Sequence, residues 1–114
     1  IYMNYIEWTD FTKVKIHVGK ILQAEVYEEA RKPAYILHVD FGEKLGIKKT
    51  SAQITDNYTT NELIDKQVLA VTNFPPKQIG KIMSEVLVLG AVQKDGTVIL
   101  ISPDSNSEIG AQIS

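Results

Sequence analysis

From residue 14 to residue 26 the chain alternates. Val14, Ile16, Val18, Leu22, Ala24 and Val26 fall on one parity, with only Lys20 out of pattern, while Lys15, His17, Gly19, Gln23 and Glu25 fall on the other. A period of two predicts a strand with one apolar face. At about 3.3 Å per residue this run outlasts an ordinary flat strand, so it predicts a bent one, with Gly19 as the place for a coil or bulge. Ahead of it an aromatic-rich opening (Tyr2, Tyr5, Trp8, Phe11) leads through a short helical turn, with Thr9 or Asp10 as its cap. Beyond a charged connection at 28–33, Tyr35, Leu37, Val39 and Phe41 alternate with Ile36, His38 and Asp40 as a second strand.

Residues 42–49 read as a lysine-rich turn containing Gly42 and Gly46, and 51–55 as a short third strand with Ala52 and Ile54 inward. Thr59 and Glu62 have the spacing of a capping box and open a short helix. Residues 67–74 form the fourth strand, which Pro75-Pro76 ends by removing main-chain donors. A connection at 79–84 leads to a hairpin of 85–92 and 97–102 around Lys94-Asp95-Gly96. Three strands, a short helix and further strands predict an all-β chain: an OB-fold, a five-stranded Greek-key barrel with a short helix between strands 3 and 4. One domain is expected over 1–114, with 1–12 and 103–114 as terminal extensions.

Composition narrows the chemistry. The chain has 114 residues, 12 Lys+Arg against 14 Asp+Glu, a net charge of −2 and 44% hydrophobic residues, which excludes disorder. It has no cysteine, so disulfides, thiolate metal sites and a cysteine nucleophile are excluded. His17 and His38 have no paired spacing, and no phosphate loop or nucleophile elbow is present, so neither an enzyme nor a cofactor is expected. The apolar runs are too short for membrane insertion, and Glu7, Asp10, Lys13 and Lys15 leave no secretory signal near the start. A cytoplasmic protein is the expectation. Because the first residue is Ile1, Met3 is one candidate start and a longer N-terminus another.

The last hairpin is apolar on both parities, at 86–89 and 98–101. One face belongs to the core, and leaving the other in water forgoes about 1.5–3 kcal/mol per large aliphatic side chain. Either the chain's own ends cover it, or Leu87, Leu89, Ile99 and Ile101 form a homodimer interface together with the terminal extensions. Lys44, Lys48, Lys49, Lys77 and Lys81 are either a candidate nucleic-acid rim or a solvated surface, and no aromatic residues interleave with them as base stacking requires.

The most informative stretch runs from Asn73-Phe74-Pro75-Pro76 to Ser84-Glu85-Val86-Leu87-Val88-Leu89-Gly90. Phe74 and Met83 suit either a core or a site that accepts varied apolar side chains. This stretch resembles the CsaA family of export-related chaperones, as do Lys15-Ile16-His17-Val18-Gly19, Pro33-Ala34-Tyr35, Asp40-Phe41-Gly42, Ser51-Ala52-Gln53-Ile54-Thr55 and Pro103-Asp104. The resemblance implies a homodimeric OB-fold protein that binds unfolded or pre-export polypeptides without ATP, with translocation components as further candidate partners. At the matched positions Phe74, Ile79, Met83 and Tyr35 would supply apolar contact. Asn73, Ser51, Gln53, Ser84 and Glu85 would bond the peptide main chain or a basic side chain. The same fold is similar to the tRNA-binding module of methionyl-tRNA synthetases, whose equivalent stretches usually read Asn-Leu-x-Pro and Ser-x-Gly-Met. This chain departs there, with Phe74-Pro75 after Asn73 and Glu85-Val86 after Ser84. tRNA is therefore the alternative ligand.

Overall fold

Glu7, not Thr9 or Asp10, caps the first helix. Its amide donates to Asp10 Oδ2 at 2.9 Å, which places the carboxylate in the first turn, where the helix dipole favours it. The computed structural model describes residues 4–114, so the expectations for Tyr2 and Met3 lie outside the described residues. The element order is α1 (Trp8–Thr12), β1 (Ile16–Val26), β2 (Tyr35–Asp40), β3 (Ile47–Ala52), α2 (Thr60–Leu63), β4 (Gln67–Val71), β5 (Lys77–Ile79), β6 (Ile82–Ser84), β7 (Leu87–Val88), β8 (Gly90–Val92) and β9 (Val98–Leu100).

β1 bends and serves both halves of the sheet, pairing with β4 over residues 16–20 and with β2 over 20–26. The five-stranded order is β3-β2-β1-β4-β7. Its two ends meet where Glu85 N–H donates to Lys49 C=O at 2.8 Å and Thr50 Oγ1 donates to Val86 C=O at 2.8 Å. This nearly closed barrel, with α2 between β3 and β4, is an OB-fold.

The bend in β1 is not at Gly19. The register slips between Ile21 and Gln23, so Leu22 is the extra residue and the side chains change parity there. The core therefore takes Ile21 and Ala24 rather than one unbroken parity, while Val14 and Val26 stay exposed. Gly19 has a different task. A Cβ there would lie 2.5 Å from Val39 Cγ1 and 2.6 Å from Phe41 Cε1, so its hydrogen is what lets those side chains fill the barrel.

β2 follows its pattern, with Tyr35, Leu37, Val39 and Phe41 buried. β3 begins at Ile47, earlier than its composition suggests, because pairing of Lys48 with Val39 and Lys49 with His38 overrides the low strand propensity of lysine. Thr59 and Glu62 cap α2 reciprocally. The final hairpin is reduced to β8 and β9, with Asp95 Oδ1 accepting from both the amide and the hydroxyl of Thr97 at its tip. The C-terminal segment lies along β1: Val18 N–H donates to Ala111 C=O at 2.9 Å and Ile113 N–H to Ile16 C=O at 2.8 Å. Leu87, Ile99 and Ile101 remain exposed, at 50%, 47% and 37%.

Candidate functional site

β4 stops at Val71, ahead of the two prolines, and Asn73 fixes how the chain leaves the sheet. Its Oδ1 accepts from Lys15 N–H at 2.9 Å and its Nδ2 donates to Lys13 C=O at 2.7 Å, which pins the exit to the link between α1 and β1. The chain then folds back as a β5–β6 hairpin around Gly80-Lys81, with Ile79 opposite Ile82. Gly80 has φ +62°, as such two-residue turns require. The Tyr27 hydroxyl holds this turn, donating to Ile79 C=O at 2.7 Å and accepting from Lys81 N–H at 2.8 Å. An ion pair of 2.6 Å between Lys81 Nζ and Glu29 Oε2 adds to the same clamp.

Held in this way at its turn and joined to β3 through Ser84, the hairpin leaves a groove of about 460 Å³ beside it. Phe74, Pro75, Ile79, Val86 and Leu87 give it apolar walls, and Ser51, Gln53, Lys77, Ser84 and Glu85 complete it. Depressions of about 290 and 280 Å³ share Ser51 and Gln53 with it, one reaching the 27–34 connection and the other reaching Val98 and Leu100. The result is one furrow along the outer edge of β3.

Of the residues singled out in the sequence, Ser51, Gln53, Phe74, Ile79, Ser84 and Glu85 come together here. Phe74 is 54% exposed, so its ring is available from solvent. Ser84 and Glu85 have internal partners: Ser84 Oγ is bonded to Thr50 Oγ1 at 2.8 Å, and Glu85 Oε1 accepts from Lys49 N–H at 2.9 Å. Both side chains brace the barrel seam as well as lining the groove. Tyr35 is buried in the core with its hydroxyl donating to Tyr58 C=O, Met83 is exposed on β6 outside the groove lining, and Asn73 acts at the strand exit. Pro75 and Val86, visible in the sequence as a strand stop and as part of the motif, join the lining as well, and the Tyr27 clamp has no counterpart among the residues singled out there. The available signal was the alternating Lys77-Gln78-Ile79 and Ile82-Met83-Ser84 about a Gly-Lys turn, which spells a hairpin.

The lysines do not share one rim. Lys77 lines the groove and Lys49 lies on the same edge of β3 as Ser51, whereas Lys48 has the opposite parity, Lys44 sits in the β2–β3 loop and Lys81 is paired with Glu29. Of the histidines, His17 Nδ1 bonds Thr72 Oγ1 at 2.8 Å. Burial, with the Lys15 ammonium nearby, holds its pKa below the ordinary value. Among the described residues no cluster of His, Cys, Asp or Glu side chains is arranged to hold a metal, and no helix is long and apolar enough to cross a membrane.

The family model "Putative tRNA binding domain" matches residues 16–112. A solved structure of the CsaA chaperone from Picrophilus torridus is 51% identical, with a TM-score of 0.91 over 96% of this chain and 100% of that one. This chain is a CsaA-like member of the tRNA-binding-domain family. The CsaA chaperone of Bacillus anthracis is 43% identical, with a TM-score of 0.92 over 97% of this chain and 100% of that one. Methionine-tRNA ligase of Pyrococcus horikoshii is 33% identical over 112 residues, 97% of this chain and 15% of the ligase. The chain thus spans about 15% of the length of the curated relatives it matches. OB-folds bind their ligands on the face of strands 2 and 3 and in the loops after strands 1 and 4. In this family member the furrow occupies that position, between β3, the 27–34 connection and the segment after β4.

Proposed function

We propose that this protein is an ATP-independent, cytoplasmic chaperone that captures unfolded or pre-export polypeptides as a homodimer and hands them toward translocation components. The observation that carries this reading is the groove. Its apolar wall of Phe74, Pro75, Ile79, Val86 and Leu87 faces a polar one that includes Ser51, Gln53 and Lys77, and a proline corner and a hydroxyl clamp support it, which suits capture of varied segments with apolar side chains. The likeness to two CsaA chaperones over nearly the whole chain supports the same choice. The single domain would carry its dimer contacts on Leu87, Leu89, Ile99 and Ile101, with residues 1–12 and 103–114 flanking them.

tRNA is the second reading, favoured by the family match over residues 16–112 and by Lys49 and Lys77 beside the furrow. Titration of one sample with an unfolded precursor peptide and with tRNA, each at low and at physiological salt, separates the two. Capture by apolar burial keeps its affinity as salt rises. Phosphate binding weakens by about tenfold or more, because releasing counterions into more concentrated salt gains less free energy. Tight, salt-sensitive tRNA binding with no response to peptide would overturn the chaperone reading.

A further inference from the structure

The barrel seam contains an unfinished strand edge. Lys49 N–H donates to Glu85 Oε1 at 2.9 Å and Ser51 N–H to Ser84 Oγ at 3.2 Å, so these main-chain groups point away from β2, and strand alternation turns those of Gln53 the same way. Gln53 is exposed, and its main-chain N–H and C=O have no protein partner among the described residues. Across the seam, Leu89 N–H donates to Leu69 C=O at 2.8 Å. Residues 87 and 89 therefore face β4, and Val88 turns its main-chain groups toward β3. The cavity of about 280 Å³ lies between these two edges, with Ile54, Leu87, Val98 and Leu100 around it. The seam is thus laced shut at Ser84 and Glu85 and open at Gln53 and Val88.

At the other end of the furrow the connection is basic on balance, with Glu28 as its one unpaired carboxylate among the described residues. Glu29 is neutralised by Lys81, while Arg31 and Lys32 have no carboxylate partner among the described residues. An open strand edge is a template for another strand, and main-chain bonding is indifferent to the sequence of the strand that joins it.

We propose that an extended polypeptide segment enters this seam as an added strand, bonding the free edge at Gln53 through its main chain, laying alternate apolar side chains into the groove and placing an acidic residue over Arg31 and Lys32. This rests on the polypeptide-capture reading and specifies how the segment is held. The chain contributes the edge and the walls, and the client's own main chain supplies the common element that lets many sequences bind.

The test is calorimetric titration of the full chain with a short peptide of alternating apolar and polar residues that ends in Glu. Two further versions are N-methylated on alternate residues, one for each strand edge. Loss of one main-chain hydrogen bond lowers affinity by about fivefold. The expected result is a loss of that size in one or both methylated peptides, with slowed amide exchange at Gln53 when the parent peptide binds. Replacing the terminal Glu by Lys is expected to weaken binding several-fold. Equal affinity of all three peptides would overturn strand addition while leaving groove capture standing. No binding by the parent peptide would overturn both.

Discussion

His17 sits in β1 opposite Ala70 and bonded to Thr72, in a position where burial and Lys15 both disfavour the imidazolium. Its folded pKa lies below the ordinary value of about 6.5, so between the two values the unfolded chain holds the extra proton. The contribution of His17 to stability is therefore intact above about pH 6.5 and is lost progressively as pH falls below it. The urea midpoint is expected to drop between pH 7.5 and 5.5, and His17→Gln to reduce that drop; an unchanged pH dependence in the variant would refute the assignment. Gly19 carries a steric constraint instead. Gly19→Ala places a methyl against Val39 and Phe41 and is expected to destabilise by about 1–3 kcal/mol, read as a lower denaturant midpoint at unchanged slope.

At the scale of elements, the β5–β6 hairpin is a ribbon of three residue pairs tied to β3 through Ser84, and a two-stranded ribbon alone is marginal in water. The Tyr27 hydroxyl supplies what is missing, with one bond accepted from Lys81 and one donated to Ile79. Tyr27→Phe keeps the buried ring and removes both bonds. Global stability should fall by about 1–2 kcal/mol. Amide exchange of Lys81 and peptide affinity should change out of proportion to that fall, because the groove loses one wall's support. A variant with a loosened hairpin and undiminished peptide binding would show that the groove does not depend on this clamp. The β3 and β4 boundaries illustrate the same scale. The sequence located both strands, at 51–55 and 67–74, but β3 extends back to Ile47 through pairing with β2, and β4 ends at Val71 because Asn73 redirects the chain.

For the whole molecule, Leu87, Ile99 and Ile101 are exposed, Ile99 and Ile101 on the parity opposite the core-facing Val98 and Leu100, and the C-terminal segment is engaged along β1 rather than over them. Leaving such aliphatic side chains in water is unfavourable, at about 25 cal/mol per Å². A second copy meeting this face through a two-fold axis removes that surface from water. Light scattering at micromolar concentration should give a dimer, and Ile99→Asp should shift it toward monomer. A monomeric parent protein, or a variant that stays dimeric, would remove this face from the interface.

The sequence by itself determined what depends on neighbours along the chain. Alternation placed β1 and β2, Pro75-Pro76 bounded the fourth strand, Thr59 and Glu62 marked α2, and the strand–helix order sufficed for an OB-fold. The motif around Phe74 and Ser84 likewise carried the resemblance to CsaA. Only the tertiary structure decided matters that depend on partners far along the chain. The bulge at Leu22 arises where β1 passes from one partner to the other, and Gly19 is required by side chains of β2. Glu85 and Ser84 looked like ligand contacts as isolated polar residues, yet the backbone groups they satisfy belong to β3, more than thirty residues earlier. Hydrogen-bond demand in a closing barrel is met across space, so a sequence read in order shows which groups can bond and leaves their partners to the fold.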